Sequence, residues 1–193
     1  MAAKGIFRPI GRTAEKEERN MKDFLSLAKD RYSVRRLEGR PVEQEKLDRI
    51  LAAALAAPTA VNLQPVKVWV VRSREALEKL YPTIKFKFVQ YAPIMLVVGG
   101  KKSEGWVRPS DGRGFADVDA TIVATHIILE THDLGLGTTW IGFFDAPQVK
   151  AAFPEMEDYD LIGMFPIGYP AENAEPAPKH FESKPLEDVV SYL

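Results

Sequence analysis

The chain has 193 residues, and its 46% hydrophobic and 27% charged residues are typical of an ordinary globular protein. Its formal net charge of −1 lacks the basic excess of a nucleic-acid-binding protein, and no apolar run reaches the ~18 residues of a membrane span. The absence of cysteine excludes disulfide scaffolds, cysteine nucleophiles and thiolate metal sites. The length predicts a single domain that buries its own core. The charge and the lack of a long apolar run predict that neither nucleic acid nor a membrane is a partner.

The first part of the chain is polar and mixed in charge, unlike a signal peptide. We predict a flexible leader over residues 1–20, one domain over residues 21–193, and a cytoplasmic protein. Apolar residues at helical spacing predict a first helix over Met21–Asp30 and a second over Val42–Ala57, which Pro58 ends.

Further along the chain, short apolar and β-branched runs predict strands at Val66–Val71, Ile94–Val98, Thr138–Phe143 and Leu161–Ile167. Helices are predicted at Ser73–Tyr81, at Phe115–Leu134 and after Asp145. The long helix is apolar nearly all round, which predicts a position at the centre of the fold or in a subunit interface. Helices that precede and separate the strands irregularly indicate an α+β arrangement, in which helices cover a sheet.

A cluster of positive charge follows the first helix, at Arg31, Arg35 and Arg36. If this stretch is extended, Arg31, Ser33 and Arg35 point to the same side. Two guanidinium groups and a hydroxyl on one side would hold a phosphate well, because arginine offers forked donors and keeps its charge. The alternative is a solvated basic turn after a helix.

The stretch Pro58–Pro65 places three hydrogen-bonding side chains, Thr59, Asn62 and Gln64, between two prolines. The prolines restrict the loop, which could then present amide and hydroxyl groups to the edge of a heterocycle. The alternative is a plain connection between a helix and a strand.

The glycines Gly135 and Gly137 do not indicate a dinucleotide-binding turn. That fingerprint follows a strand, opens a helix and has a third glycine three residues after the second. Here the glycines follow a helix and lead into a strand, and Trp140 stands at the third position. We therefore reject a Rossmann site and interpret the pair as a helix C-cap.

Other chemistry finds little support in the sequence. His126 and His132 are six residues apart on one predicted helix and face different ways, while His180 lies in the tail, so no metal site is predicted. Asp117 and Asp119 also diverge, and nothing specific supports a paired-carboxylate hydrolase.

Four segments together resemble the nitroreductase family of FMN enzymes, from about residue 21 to the end. They are Arg31-Tyr-Ser-Val-Arg35, Pro58-Thr-Ala-Val-Asn-Leu-Gln-Pro65, Gly135-Leu-Gly-Thr-Thr-Trp-Ile-Gly142, and Gly168-Tyr-Pro170 with Lys184-Pro-Leu-Glu187. The resemblance implies an α+β sandwich with a central, mostly antiparallel sheet flanked by helices. It also implies a homodimer with two flavins at the interface, in which the proline-rich C-terminal arm embraces the partner subunit.

The resemblance also assigns residues to the cofactor, none of them catalytic in its own right. Those expected at the phosphate and ribityl chain are Arg31, Tyr32, Ser33, Arg35 and Lys184. Thr59, Ala60 and Asn62 are expected to reach the flavin of the other subunit. The segment Trp140, Ile141, Gly142 and Phe143 is expected along the ring near N5. Lys87 (or Lys85) is expected near N1, where a cation favours the reduced ring.

Two positions depart from the family's pattern. Ala60 stands where a second serine is common, and Lys184 where arginine is common. Each departure removes a hydrogen bond without abolishing binding.

The implied activity is a ping-pong reduction, by NADH or NADPH, of a small aromatic acceptor such as a nitroaromatic or a quinone. Two alternatives stay open: a family relative with another reaction (reductive dehalogenation, enone reduction or flavin breakdown), and a non-enzymatic flavin-binding protein. Trp106, in the glycine-containing loop Gly99–Gly114, is a candidate to stack on a flat substrate as part of a lid. A mobile surface loop without that role is the alternative.

Overall fold

The computed structural model describes residues 23–193, so the predicted leader over residues 1–20 lies outside the described part. The helices are α1 (Phe24–Asp30), α2 (Gln44–Leu55), α3 (Arg74–Leu80), α4 (Ala116–Asp133) and α5 (Ala146–Ala152). The strands are β1 (Leu37–Glu38), β2 (Val66–Val71), β3 (Ile94–Gly100), β4 (Asp160–Ile167) and β5 (Tyr169–Pro170). No helix within residues 23–193 is both long and apolar enough to cross a bilayer.

Side-chain caps set where three of the helices begin. The carboxylate of Asp23 accepts from the Ser26 N–H before α1, and the Ser73 hydroxyl accepts from the Ala76 N–H before α3. Asp145 caps α5 in the same way. Each cap satisfies an N–H that the first turn of a helix leaves without an internal partner. The helices predicted at Ser73–Tyr81 and after Asp145 are confirmed.

The sheet is antiparallel, with the strand order β2-β3-β4. The central strand β3 is buried along its whole length. Ile94, Leu96 and Val98 pack on one side against α2 and α4, and Met95 and Val97 pack on the other side with α3 and α5. Because side chains alternate along a strand, β3 contributes to two hydrophobic cores, one on each face of the sheet. This layering confirms the predicted α+β sandwich.

The prediction of a strand at Thr138–Phe143 is wrong. Here the chain forms only isolated bridges, from Gly137 to Gly168, just after β4, and from Ile141 to Met164 in β4. The register of these two bridges places Thr139 opposite Pro166. Because proline has no N–H, it cannot donate the hydrogen bond that a continuous ladder needs at this point. The segment therefore follows the edge of β4 without becoming a regular strand.

Helix α4 lies at the centre, as predicted, in contact with α2 and with the strands β2, β3 and β4. Its C-terminus is a Schellman motif: Gly135 has a φ of 70°, its N–H binds the His132 carbonyl, and the Leu136 N–H binds the Thr131 carbonyl. Glycine adopts such a positive φ without steric cost. The chain therefore leaves α4 in a fixed direction and enters the Gly137–Phe143 segment.

Candidate functional site

Two of the predicted segments touch directly. The extended stretch Arg31–Arg36 lies against the segment that follows α4, and the Val34 N–H donates to the Thr138 carbonyl at 2.9 Å. Val34 is 2% exposed, and a Cβ built on Gly137 would lie 2.8–2.9 Å from its side-chain carbons. Only glycine at position 137 therefore allows this approach. Since Val34 faces inward, the alternate residues Ser33 and Arg35 face outward.

Positive side chains collect beside this contact. Arg35, Arg36 and Lys87 line one cleft of about 310 Å³, together with Phe88 and Tyr91. Ser33, Arg35 and Arg36 line an adjoining cleft of about 260 Å³, whose other wall is formed by residues 174–177.

Within residues 23–193, three of the cations in this region have no carboxylate partner. In the part of the chain that the structure describes, Arg31, Arg35 and Lys87 form no ion pair, whereas nine other lysines and arginines do. Their charge is thus available to an anionic ligand. Arg35, Arg36 and Lys87 line shared clefts, an arrangement that favours a ligand-binding role over an isolated basic turn.

Lys85 and Phe86 also lie close to the segment Gly137–Phe143, which follows α4. The Lys85 Nζ lies 4.8 Å from the centre of the Phe143 ring, and the Phe86 ring lies 6.4 Å from it. Ile141 is buried, whereas Gly142 and Phe143 are exposed. The structure therefore brings together three of the predicted parts: Arg31–Arg36, the pair Lys85 and Lys87, and the segment from Trp140 to Phe143.

Trp140 fixes the position of that last segment. Its indole N–H donates to the Ile162 carbonyl at 3.1 Å, and its ring packs edge-on against Phe165. The ring covers Gly163, where a Cβ would meet the indole nitrogen at 2.6 Å. Trp140 is therefore an anchor for Ile141 and Gly142, and it faces the core.

The loop Thr59–Gln64 is compact and strongly bent. The Asn62 N–H binds the Thr59 carbonyl, and the Gln64 N–H binds the Thr59 hydroxyl. Val61, Asn62 and Gln64 have positive φ values of 44°, 58° and 53°. The Gln64 side-chain amide donates to the Asn62 side-chain oxygen, which fixes the orientation of the Asn62 amide group. This geometry agrees with the prediction of a rigid loop that presents an amide.

The loop lies far from the cationic clefts of the same chain. It is attached to Asp119 in the first turn of α4, whereas Arg31–Arg36 is attached to Thr138, beyond the last turn. At a rise of 1.5 Å per residue, Asp119 and Asp133 alone are about 20 Å apart along the helix axis. One chain therefore does not bring Thr59, Ala60 and Asn62 to the same place as Arg35.

Tyr32 and the C-terminal arm meet near the arginines. The Tyr32 hydroxyl donates to the Ala174 carbonyl at 3.2 Å, and its ring lies 6.3 Å from His180. Burial, and secondarily the charge of Glu175, raises the pKa of Tyr32, so the hydroxyl remains a donor. Tyr32 therefore holds the arm of its own chain. Lys184 lies further along this arm, where it is exposed.

The sequence reasoning did not single out Asp119, whose surroundings are unusual. Its side chain is 1% exposed, and its Oδ1 accepts from the Ala60 N–H at 2.8 Å. The other carboxylate oxygen, Oδ2, is buried and has no hydrogen-bond partner within residues 23–193, and the same holds for the Thr138 hydroxyl. An acidic residue among the apolar positions Ala116, Ala120 and Val123 was the available signal, because a buried charge needs a reason.

The segment expected to be a loop at Gly99–Gly114 is more ordered than predicted. Strand β3 continues through Gly100, and Val107 bridges Gly114 in a short hairpin. Trp106 packs edge-on against Phe115, with ring centres 5.0 Å apart. The role of this hairpin as a lid stays a prediction. No group of three or more potential ligands within residues 23–193 is arranged for a metal.

Comparison with known proteins identifies the family. The model of the nitroreductase family matches residues 28–90 and 83–169. The chain belongs to the nitroreductase family.

Individual nitroreductase relatives agree with this assignment. A protein of Methanothermobacter thermautotrophicus, provisionally named NADH dehydrogenase/NAD(P)H nitroreductase, is 34% identical over 78% of this chain and 79% of its own. An FMN reductase [NAD(P)H] of Bacillus subtilis is 27% identical over 82% of this chain and 70% of its own. The crystal structure of a nitroreductase family protein from Clostridium difficile 630 has a TM-score of 0.81 and 34% identity, and it covers 89% of this chain and 98% of that one.

Proposed function

We propose that the protein is an FMN-dependent oxidoreductase that uses NADH or NADPH to reduce a small aromatic acceptor, such as a nitroaromatic or a quinone, by a ping-pong mechanism. The observation that carries the proposal is that Arg35 and Lys87, which form no ion pair within residues 23–193, line one cleft, and that Lys85, two residues before Lys87, lies against Phe143. The FMN reductase of Bacillus subtilis, a relative by sequence, supports the choice of cofactor.

The residues present fit an FMN molecule. A phosphate carries negative charge and several acceptor oxygens, which suits two arginines that no carboxylate within residues 23–193 neutralises. The cleft with Arg35 continues toward Lys87, Phe88 and Tyr91, so it offers aromatic surface beside the charge. When bound, FMN supplies the redox chemistry, because it can take up a hydride from a nicotinamide and release the electrons to an acceptor.

The residues of the chain would bind the FMN and orient it. Arg31, Ser33 and Arg35 would hold the phosphate and the ribityl chain. The backbone of Ile141, Gly142 and Phe143 would lie along the ring, and Lys87 (or Lys85) would place positive charge at the ring's N1 edge. Lys184 would reach the phosphate from the arm. No side chain is needed as an acid or a base.

We further propose a homodimer in which Thr59, Ala60 and Asn62 complete the flavin site of the partner. Two features support this arrangement. The loop lies at the opposite end of α4 from the cations, and it exposes Val61 and Leu63 by 72% and 50%. The arm exposes further large apolar side chains in the same way, at Phe181, Leu186, Val189 and Tyr192. Burial of such surface against a second copy would stabilise the dimer.

The proposal is tested by loading the full chain with FMN and titrating it anaerobically with each pyridine nucleotide while recording absorption spectra. We expect a yellow holoprotein that NADH or NADPH bleaches, and whose colour returns when a nitroaromatic or a quinone is added. A panel of acceptors distinguishes this activity from other flavin reactions. A chain that stays colourless after loading contradicts the proposal at the cofactor, and bound FMN that neither nucleotide reduces contradicts the enzymatic activity.

A further inference from the structure

We propose that Asp119 is a positioning residue: its buried carboxylate holds the loop Thr59–Gln64 in the shape with which that loop reaches the flavin of the partner subunit. The inference rests on the proposed function, because it assigns the residue that fixes one part of the proposed site.

The carboxylate of Asp119 is buried and only half satisfied. The residue is 1% exposed, its Oδ1 accepts from the Ala60 N–H at 2.8 Å, and its Oδ2 has no hydrogen-bond partner among the described residues. A carboxylate in such surroundings is costly, and an apolar residue on this face of α4 would avoid the cost. The one bond that the group makes is directed at the loop.

The bent conformation of the loop requires stabilisation by residues outside the loop. Val61, Asn62 and Gln64 have φ values of 44°, 58° and 53°, which L-residues adopt reluctantly and β-branched valine most reluctantly. Packing within the chain does not hold the loop, since Val61 and Leu63 are 72% and 50% exposed. The internal hydrogen bonds close the loop on itself without fixing its direction relative to α4.

Among the described residues, two hydrogen bonds tie the loop and the proline after it to other segments. At its far end, the Pro65 carbonyl accepts from the Lys101 N–H at 2.7 Å, just before β2 begins. At its near end, the Ala60 N–H is bound by Asp119. Without Asp119 the near end would be released, and the Asn62 amide would lose its fixed position. The flavin would then lose hydrogen bonds that the partner subunit supplies.

The experiment compares Asp119→Ala, Asp119→Asn and the control Asp117→Ala by FMN affinity and by the absorption spectrum of the bound flavin. Asp117 is two residues away on the same helix, and its side chain is 55% exposed. We expect Asp119→Ala to raise the Kd for FMN about tenfold, which corresponds to one hydrogen bond, and to shift the flavin bands. Asp119→Asn should restore both, because its amide oxygen still accepts from the Ala60 N–H. Asp117→Ala should match the unchanged chain.

A second variant tests the same bond from the other side. Ala60→Pro removes the N–H, and Thr59 already has the extended conformation that a residue before proline requires, with φ −131° and ψ 158°. This variant should weaken FMN binding about as much as Asp119→Ala, because the same hydrogen bond is lost.

The proposal is overturned if Asp119→Ala and Ala60→Pro keep the affinity and spectrum of the unchanged chain, or if Asp119→Asn is as weak as Asp119→Ala. Amide exchange at Ala60, measured without added FMN, separates this inference from the proposed function. An unchanged chain that binds no FMN refutes the function alone. Equal exchange at Ala60 in the unchanged chain and in Asp119→Ala refutes the role of Asp119 alone.

Discussion

Replacing Gly137 with alanine should weaken FMN binding by on the order of 10- to 100-fold and lower the free energy of unfolding by about 1–3 kcal/mol, the range for overpacking a buried contact. The new Cβ would lie 2.8–2.9 Å from three carbons of Val34. Valine is branched at Cβ and cannot easily turn away, and its N–H is bound to the Thr138 carbonyl. The strain therefore falls on the backbone of Arg31–Arg36, which carries the proposed phosphate ligands.

The measurements are thermal unfolding and titration with FMN. Gly39→Ala is the matched control, because a Cβ at Gly39 would meet no atom within 4 Å. We expect the control to bind FMN like the unchanged chain. If Gly137→Ala loses stability but retains full FMN affinity, the contact between the two segments supports the fold and has no part in the site.

The double variant Arg31→Ala/Arg35→Ala should lower FMN affinity at least on the order of 100-fold, because each arginine would contribute a charge-assisted hydrogen bond worth about 1.5–3 kcal/mol. Its thermal stability should stay close to that of the unchanged chain, since neither arginine forms an ion pair within residues 23–193. Riboflavin, which keeps the ribityl chain but lacks the phosphate, should lose much less affinity for the variant than FMN does.

Arg74→Ala is the control for a general loss of positive charge. Its side chain is 92% exposed, and within residues 23–193 it pairs with Glu78, one turn along α3. We expect no change in FMN affinity. A double variant that loses riboflavin and FMN affinity alike would contradict the assignment of Arg31 and Arg35 to the phosphate.

The sequence predicted the elements whose determinants are local. Capping residues, helical spacing and a buried β-branched run suffice to locate α3, α5 and β3, because those signals act over a few residues. The run Thr138–Phe143 carries the same signal as a strand, yet it fails to form one. The reason is Pro166 on the neighbouring strand, and only the register of the pairing reveals that it lies opposite Thr139.

The features of the candidate site also divide into those that the sequence predicts and those that only the structure reveals. The alternation of Arg31, Ser33 and Arg35 was predictable from an extended backbone, and their charge indicated an anion. The contact between Val34 and Gly137 was not, because it joins residues about a hundred positions apart in the chain. Spacing predicts that Asp117 and Asp119 lie on different faces of α4, but it does not tell which of the two is buried; the structure buries Asp119 and exposes Asp117.

The claim that the flavin binds between two copies of the chain is tested most directly by mixing two defective variants. One carries Arg31→Ala/Arg35→Ala, and the other carries Thr59→Val/Asn62→Gly, where glycine keeps the positive φ of residue 62. Neither homodimer should bind FMN tightly. The heterodimer, isolated with two different affinity tags, should regain one tight site, formed by the intact arginines of one chain and the intact loop of the other. Failure of the two chains to associate, or a heterodimer as weak as either parent, would contradict a flavin bound between two copies.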